Sequence, residues 1–136
     1  MNAWIETYRG AVQRWEIDTV DHFTVAFYFD RFAHASLNEL DALGLGAGVP
    51  GRARRRWATV DCYVRYLHEL RAGDVLHILS GVIEAGADGL LLGHKLFESA
   101  SGEVCATAEQ RLRPVPGPAT APHTARERRA HEARPV

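Results

Sequence analysis

The chain has 136 residues, a formal net charge of −1, 46% hydrophobic residues and 24% charged residues. That is enough for one domain around one core, and the charge balance asks for neither nucleic acid nor an anionic membrane as partner. No window approaches the ~18 apolar residues of a bilayer span, and MNAWIETYRG shows no basic stretch leading into an apolar one. The expectation is a cytoplasmic protein with no membrane partner. Cys62 and Cys105, both in strand-like runs, are too few for a disulfide framework or a zinc site and read as buried free thiols.

Residues 8–17 read as a strand, with Ala11, Gln13, Trp15 and Ile17 on one face. From 25 to 43 the period becomes helical, and Phe29, Phe32, Ala33, Ser36, Leu37, Leu40 and Leu43 form one apolar stripe. Gly44 is placed to end that helix. The segment 45–50 is glycine-rich, ends in Pro50, and reads as a loop before the basic run Arg52, Arg54, Arg55 and Arg56. Four strand patterns follow. The first, 57–66, turns Ala58, Val60, Cys62, Val64 and Tyr66 to the core. Turns at 71–74, 86–89 and 101–102 lead into 75–83, 90–99 and 103–113, predicting a meander. From residue 114 the chain is rich in proline and arginine and nearly empty of large apolar residues. The expectation is therefore a folded domain over 1–113 and a disordered tail over 114–136.

One strand, one long helix and four consecutive strands make an α+β pattern, with the helix packed on a five-stranded antiparallel sheet. A sheet of that size around one helix leaves an edge and a face open, which a second copy would cover, predicting a homodimer or homotetramer. Element order and local motifs resemble the hotdog thioesterases of the 4-hydroxybenzoyl-CoA thioesterase type over roughly residues 8–113. The resemblance is carried by WEIDTVDHFTVAFYFDRF, residues 15–32, where Asp18 and His22 match an aspartate, two residues, usually a glycine, a histidine and an aromatic-rich helix. Asp21 replaces the usual glycine, and Thr24 stands where many members have asparagine. VRYLHELRAGDVLHI, residues 64–78, resembles the family's strand, glycine–aspartate turn and next strand.

The resemblance implies a hotdog fold and hydrolysis of an acyl-CoA or acyl-carrier-protein thioester without a cofactor. Asp18 would attack the thioester or activate water, and the amides at Thr24 and Val25 would stabilise the oxyanion at the helix start. His22 would orient substrate, hold Asp18 or exchange a proton. As bland alternatives, Asp18 caps its loop, Thr24 caps the helix, and His22 bonds backbone. Arg54, Arg55 and Arg56 offer charge for the CoA phosphates, unless they form a solvated loop. Phe23, with Trp15, Phe27 and Tyr63, is a candidate for the acyl pocket, although aromatic residues in such patterns are more often core. His68 and Glu69 are runner-up acid–base or substrate-binding residues against a polar-turn reading. No HxH, HExxH or CxxC spacing suggests a metal, and no GxSxG or GxxxxGK[ST] supports a serine hydrolase or nucleoside triphosphatase. Two other functions fit the same pattern: a hotdog hydratase or dehydratase, and a non-catalytic acyl-CoA-binding protein.

Overall fold

The computed structural model describes residues 3–46 and 56–115. Arg52, Arg54 and Arg55, most of the glycine-rich loop and the chain from residue 116 onward lie outside the described residues. The elements are β1 (Ile5–Ala11), a 3-10 turn (Arg14–Glu16), α1 (Val25–Ala42), β2 (Trp57–Tyr66), β3 (Val75–Gly86), β4 (Gly89–Glu98) and β5 (Glu103–Pro114). The five strands form one antiparallel sheet in the order β1-β3-β4-β5-β2. The α+β architecture is the one expected, with three corrections.

The predicted strand over 8–17 is two elements. β1 starts and ends earlier, and the chain then tightens into the 3-10 turn. Glu16 explains the break. Its amide donates to Gln13 O at 2.9 Å, and its Oε1 accepts from Gln13 N at 2.9 Å, a reciprocal cap that extended backbone cannot make.

The meander holds only for β3, β4 and β5. β2 joins the far side of β5 because both sides of β3 are taken, one by β1 and the other by β4. Within β2 a bulge falls between Thr59 and Asp61. The extra residue, Val60, is 53% exposed, so the predicted inward row with Ala58 is broken there.

The helix is rotated from its predicted stripe. Tyr28, Arg31, Phe32, Ala35, Ser36, Glu39 and Leu40 are buried, while Phe29 and Leu37 are 42% and 68% exposed. The polar members of the buried face have local reasons for being there: Arg31 meets Glu16, and Ser36 meets His94 and Gln110. Glu39 is buried with Oε2 unpartnered, and burial pushes its carboxyl above the ordinary value.

Gly44 does end the helix. At φ 74° it sits where a side chain is disfavoured, Gly44 N bonds Asp41 O and Leu45 N bonds Leu40 O. Leu45 then packs with Leu40, Leu90, Leu92 and Leu112 in a small core cluster. The larger cluster joins Phe23, Tyr28, Phe32, Leu70, Leu76, Ile78 and Leu96 between helix and sheet. No helix among the described residues is long and apolar enough to cross a membrane.

Candidate active site

Residues 17–23 form a tight loop between the 3-10 turn and α1. An isolated bridge pairs Ile17 with Phe23, Asp18 N donates to His22 O at 2.9 Å, and Asp21 N donates to Asp18 O at 3.1 Å. The chain therefore leaves and returns at nearly one point, which puts Asp18 and His22 together at the loop's base. Asp21 lies at φ 63°, a left-handed conformation that glycine adopts freely and that aspartate tolerates better than most side chains.

The Asp18 carboxylate is tied on one side. Its Oδ1 accepts from Val20 N at 2.9 Å and His22 N at 3.1 Å, whereas Oδ2 has no hydrogen-bond partner among the described residues. The His22 amide, and after it the Val20 amide, hold this exposed carboxyl below the usual carboxylate range despite a small opposing desolvation. Asp18 thus caps its loop through one oxygen and keeps the other available, so the bland and the chemical readings coexist in one side chain.

Two residues past His22, Thr24 is the N-cap of α1, and its hydroxyl makes no capping bond. Its carbonyl accepts from Phe27 N at 3.1 Å and Tyr28 N at 3.3 Å, leaving the amides of Val25 and Ala26 in the first turn without intrahelical acceptors. These donors stand at the positive end of the helix dipole.

The structure separates the remaining candidates. Phe23 is buried in the larger core cluster, and its amide bonds Leu70 O at 2.9 Å. Glu69 comes to the loop, with Oε2 3.6 Å from His22 Nδ1. His68 turns away and pairs with Glu103 at 3.0 Å. Arg56 is exposed beside β2, and Arg54 and Arg55 lie outside the described residues. Trp15 is exposed beside the loop, Phe27 is half-buried, and Tyr63 lies on the exposed edge strand β2, next to Glu109 of β5.

Sequence reasoning passed over Arg31 and Glu16. Arg31 Nη2 donates to Glu16 Oε1 at 2.6 Å and Nη1 to Glu16 Oε2 at 2.8 Å, both side chains being buried. Thr24 N also bonds Glu16 O at 3.0 Å, so of the Thr24 and Val25 amides expected at the oxyanion the first is already taken by Glu16. This residue therefore anchors both the helix face and the helix start. The one available signal was the Gln13-to-Glu16 spacing of a capping box.

A tethered carboxylate, a histidine and helix-start amides on one short loop form a set suited to acyl transfer. A family model for the thioesterase-like superfamily matches residues 12–122. The chain belongs to that superfamily. Among curated proteins, this thioesterase-like chain is 27% identical over 124 residues to the betainyl-CoA thioesterase of Pseudomonas aeruginosa, covering 90% of this chain and 78% of that one. Among solved structures, a candidate thioesterase from Pseudomonas putida KT2440 superposes with a TM-score of 0.72 at 26% identity, covering 97% of this chain and 85% of that one. A Staphylococcus aureus protein solved in complex with CoA reaches a TM-score of 0.73 at 21% identity, covering 85% and 74% of the two chains. The hotdog fold expected from the sequence is the fold of this thioesterase-like family.

Proposed function

We infer that the protein is an acyl-CoA thioesterase, in which Asp18 supplies the carboxylate of the chemical step. The observation that carries this reading is the divided Asp18 carboxylate, with Oδ1 held by two loop amides and Oδ2 free of hydrogen bonds among the described residues, in the loop that leads into a helix start whose N-cap hydroxyl makes no capping bond. An ionised Oδ2 either draws a proton from the attacking water or attacks the thioester carbonyl, giving an acyl-enzyme anhydride that water then opens. Both routes release free acid and CoA thiol. The Val25 and Ala26 amides would receive the negative charge that develops on the thioester oxygen. Relatives named for CoA chemistry support CoA rather than another thiol carrier. A CoA thioester is a cytoplasmic metabolite, and the unpaired Cys62 and Cys105 suit that reducing compartment.

The site also suits a dimer. α1 packs on β1 and β3, and the exposed apolar residues Val25, Phe29 and Leu37 lie on the helix side away from Arg31 and Asn38, which bond to β1. That side faces the edge strand β2, where Val60, Tyr63 and Tyr66 are exposed. A second copy adding its own β2 would cover both surfaces.

The test is Asp18→Asn, assayed by thiol release from a panel of acyl-CoAs and by thermal unfolding of the same sample. We expect kcat to fall ~10²–10⁴-fold with little change in KM and the fold retained. A stable variant with near-parent kcat would remove Asp18 from the chemistry. A changed acyl double bond without thiol release would instead identify a hydratase.

A further inference from the structure

The connection over residues 67–74 is a strap across the end of the sheet, bonded along its length. The amides of Leu67 and His68 donate to Cys105 O at 2.8 and 3.2 Å, Leu70 O accepts from Phe23 N at 2.9 Å, and Gly73 N donates to Val12 O at 2.9 Å. Leu70 is wholly buried in the main core, which turns its neighbours Glu69 and Arg71 outward. Both meet the 17–23 loop. Glu69 Oε2 lies 3.6 Å from His22 Nδ1, and Arg71 Nη1 lies 3.8 Å from Asp21 Oδ2. The backbone bond between Phe23 and Leu70 fixes the spacing of these two contacts.

We propose that Glu69 is the positioning residue of His22: it holds the proton on Nδ1 and leaves Nε2 as the basic nitrogen that exchanges protons at the thioester site. The inference rests on the 17–23 loop being the active site. At 3.6 Å the Glu69 carboxylate stands just beyond hydrogen-bond distance and acts on Nδ1 through its charge, which favours the tautomer and ring orientation that turn an N–H toward it. Other charges around His22 do not compete for Nδ1. Asp18 meets the His22 backbone amide through Oδ1, and Asp21 is engaged by Arg71. From α1 the titratable group is Tyr28, whose phenol is pushed up by burial and then by the Glu69 charge, and so stays neutral. Behind Phe23, Arg31 and Glu16 neutralise each other.

The experiment is nitrogen-15 NMR of the imidazoles in the full chain, with the His22 signals assigned by loss in His22→Gln, alongside thiol-release kinetics. Neutral His22 should carry its proton on Nδ1 in the parent and shift toward Nε2 in Glu69→Ala. In Glu69→Ala kcat should fall about tenfold at unchanged KM. Glu69→Gln, which keeps an acceptor oxygen without the charge, should lie between the two. Arg71→Ala removes the neighbouring loop contact and should leave the His22 tautomer as in the parent. A parent His22 protonated on Nε2, or an unchanged tautomer in Glu69→Ala, overturns the proposal. So does an Arg71→Ala variant that reproduces the Glu69→Ala spectrum, because the effect would then be general loop tethering. The tautomer is read without turnover, so failure of the Asp18 mechanism and failure of this pairing are separate results.

Discussion

At the scale of single residues, His94 shows how burial changes what a side chain does. It falls mid-strand without a motif, so the sequence alone points to no role for it. In the structure it is 1% exposed under Phe32, with Nδ1 2.6 Å from Ser80 Oγ and Nε2 3.1 Å from both Ser36 Oγ and Gln110 Oε1. The polar row extends to Thr7 through Ser80 and to Thr59 through Gln110, so every strand contributes one member. Burial pushes the imidazole down to about 4, with the Gln110 hydrogen bond opposing. A histidine depressed in the folded state binds fewer protons there than in the unfolded chain, so its contribution is intact above the unfolded value and is lost as pH falls from about 6.5 toward 4. We expect the parent to lose about 2 kcal/mol more than His94→Gln between pH 7 and 4.5, read from urea unfolding at both pH values. Equal losses in the two proteins would show that His94 titrates normally.

At the scale of elements, the Glu16–Arg31 pair decides how the 3-10 turn sits on the helix, and with it the shape of the loop between them. Burial is the largest single influence and works against the Glu16 carboxylate, but the Arg31 hydrogen bonds, the Gln13 amide and the Arg31 charge together offset it and hold its pKa below the ordinary value. The guanidinium also lies 5.5 and 5.3 Å from the ring centroids of Tyr8 and Phe23 and donates to Ala11 O at 3.2 Å. Removing one partner leaves the other charged and buried, so Arg31→Met should cost about 3 kcal/mol and lower kcat by loosening the loop. The double variant Glu16→Leu, Arg31→Met should recover much of that stability without recovering the rate, since Leu cannot cap Gln13 N. A double variant as unstable as the single would show that the aromatic and Ala11 contacts of Arg31, rather than the charge pair, hold these elements together.

At the scale of the whole molecule, the open flank of the helix and the edge strand β2 are where we propose that a second copy docks, while the residues past β5 are not needed to complete the sheet. β5 is paired on both sides, and Val115 N donates to Arg56 O at 2.9 Å, closing the described end of the chain onto the start of β2. We propose that the tail beyond residue 115 is dispensable for assembly and turnover. Sedimentation of the full chain and of a chain ending at Val115 should show a dimer or larger in both. Tyr63→Arg together with Val60→Asp, two exposed changes on the β2 edge, should shift either one toward monomer with loss of thiol release. A folded, active monomer in the parent would defeat the proposed dimer, and monomerisation by truncation alone would assign the interface to the tail.

The sequence by itself determined the element order, the position and end of α1, and the Asp18–His22 motif, because each is written in local signals: period, turn residues and a glycine at the helix end. The bulge at Val60, the placement of β2 beside β5 and the rotation of the helix were decided by tertiary packing. Apolar spacing shows that Phe29 and Leu37 share a helix face with Phe32, but not that Arg31 and Ser36 have buried partners fifteen and fifty-eight residues away. The approach of Glu69 to His22 is of the same kind. It exists because Leu70 must be buried and Phe23 must bond to it, so two exposed side chains distant in sequence are brought together by what their neighbours do in the core.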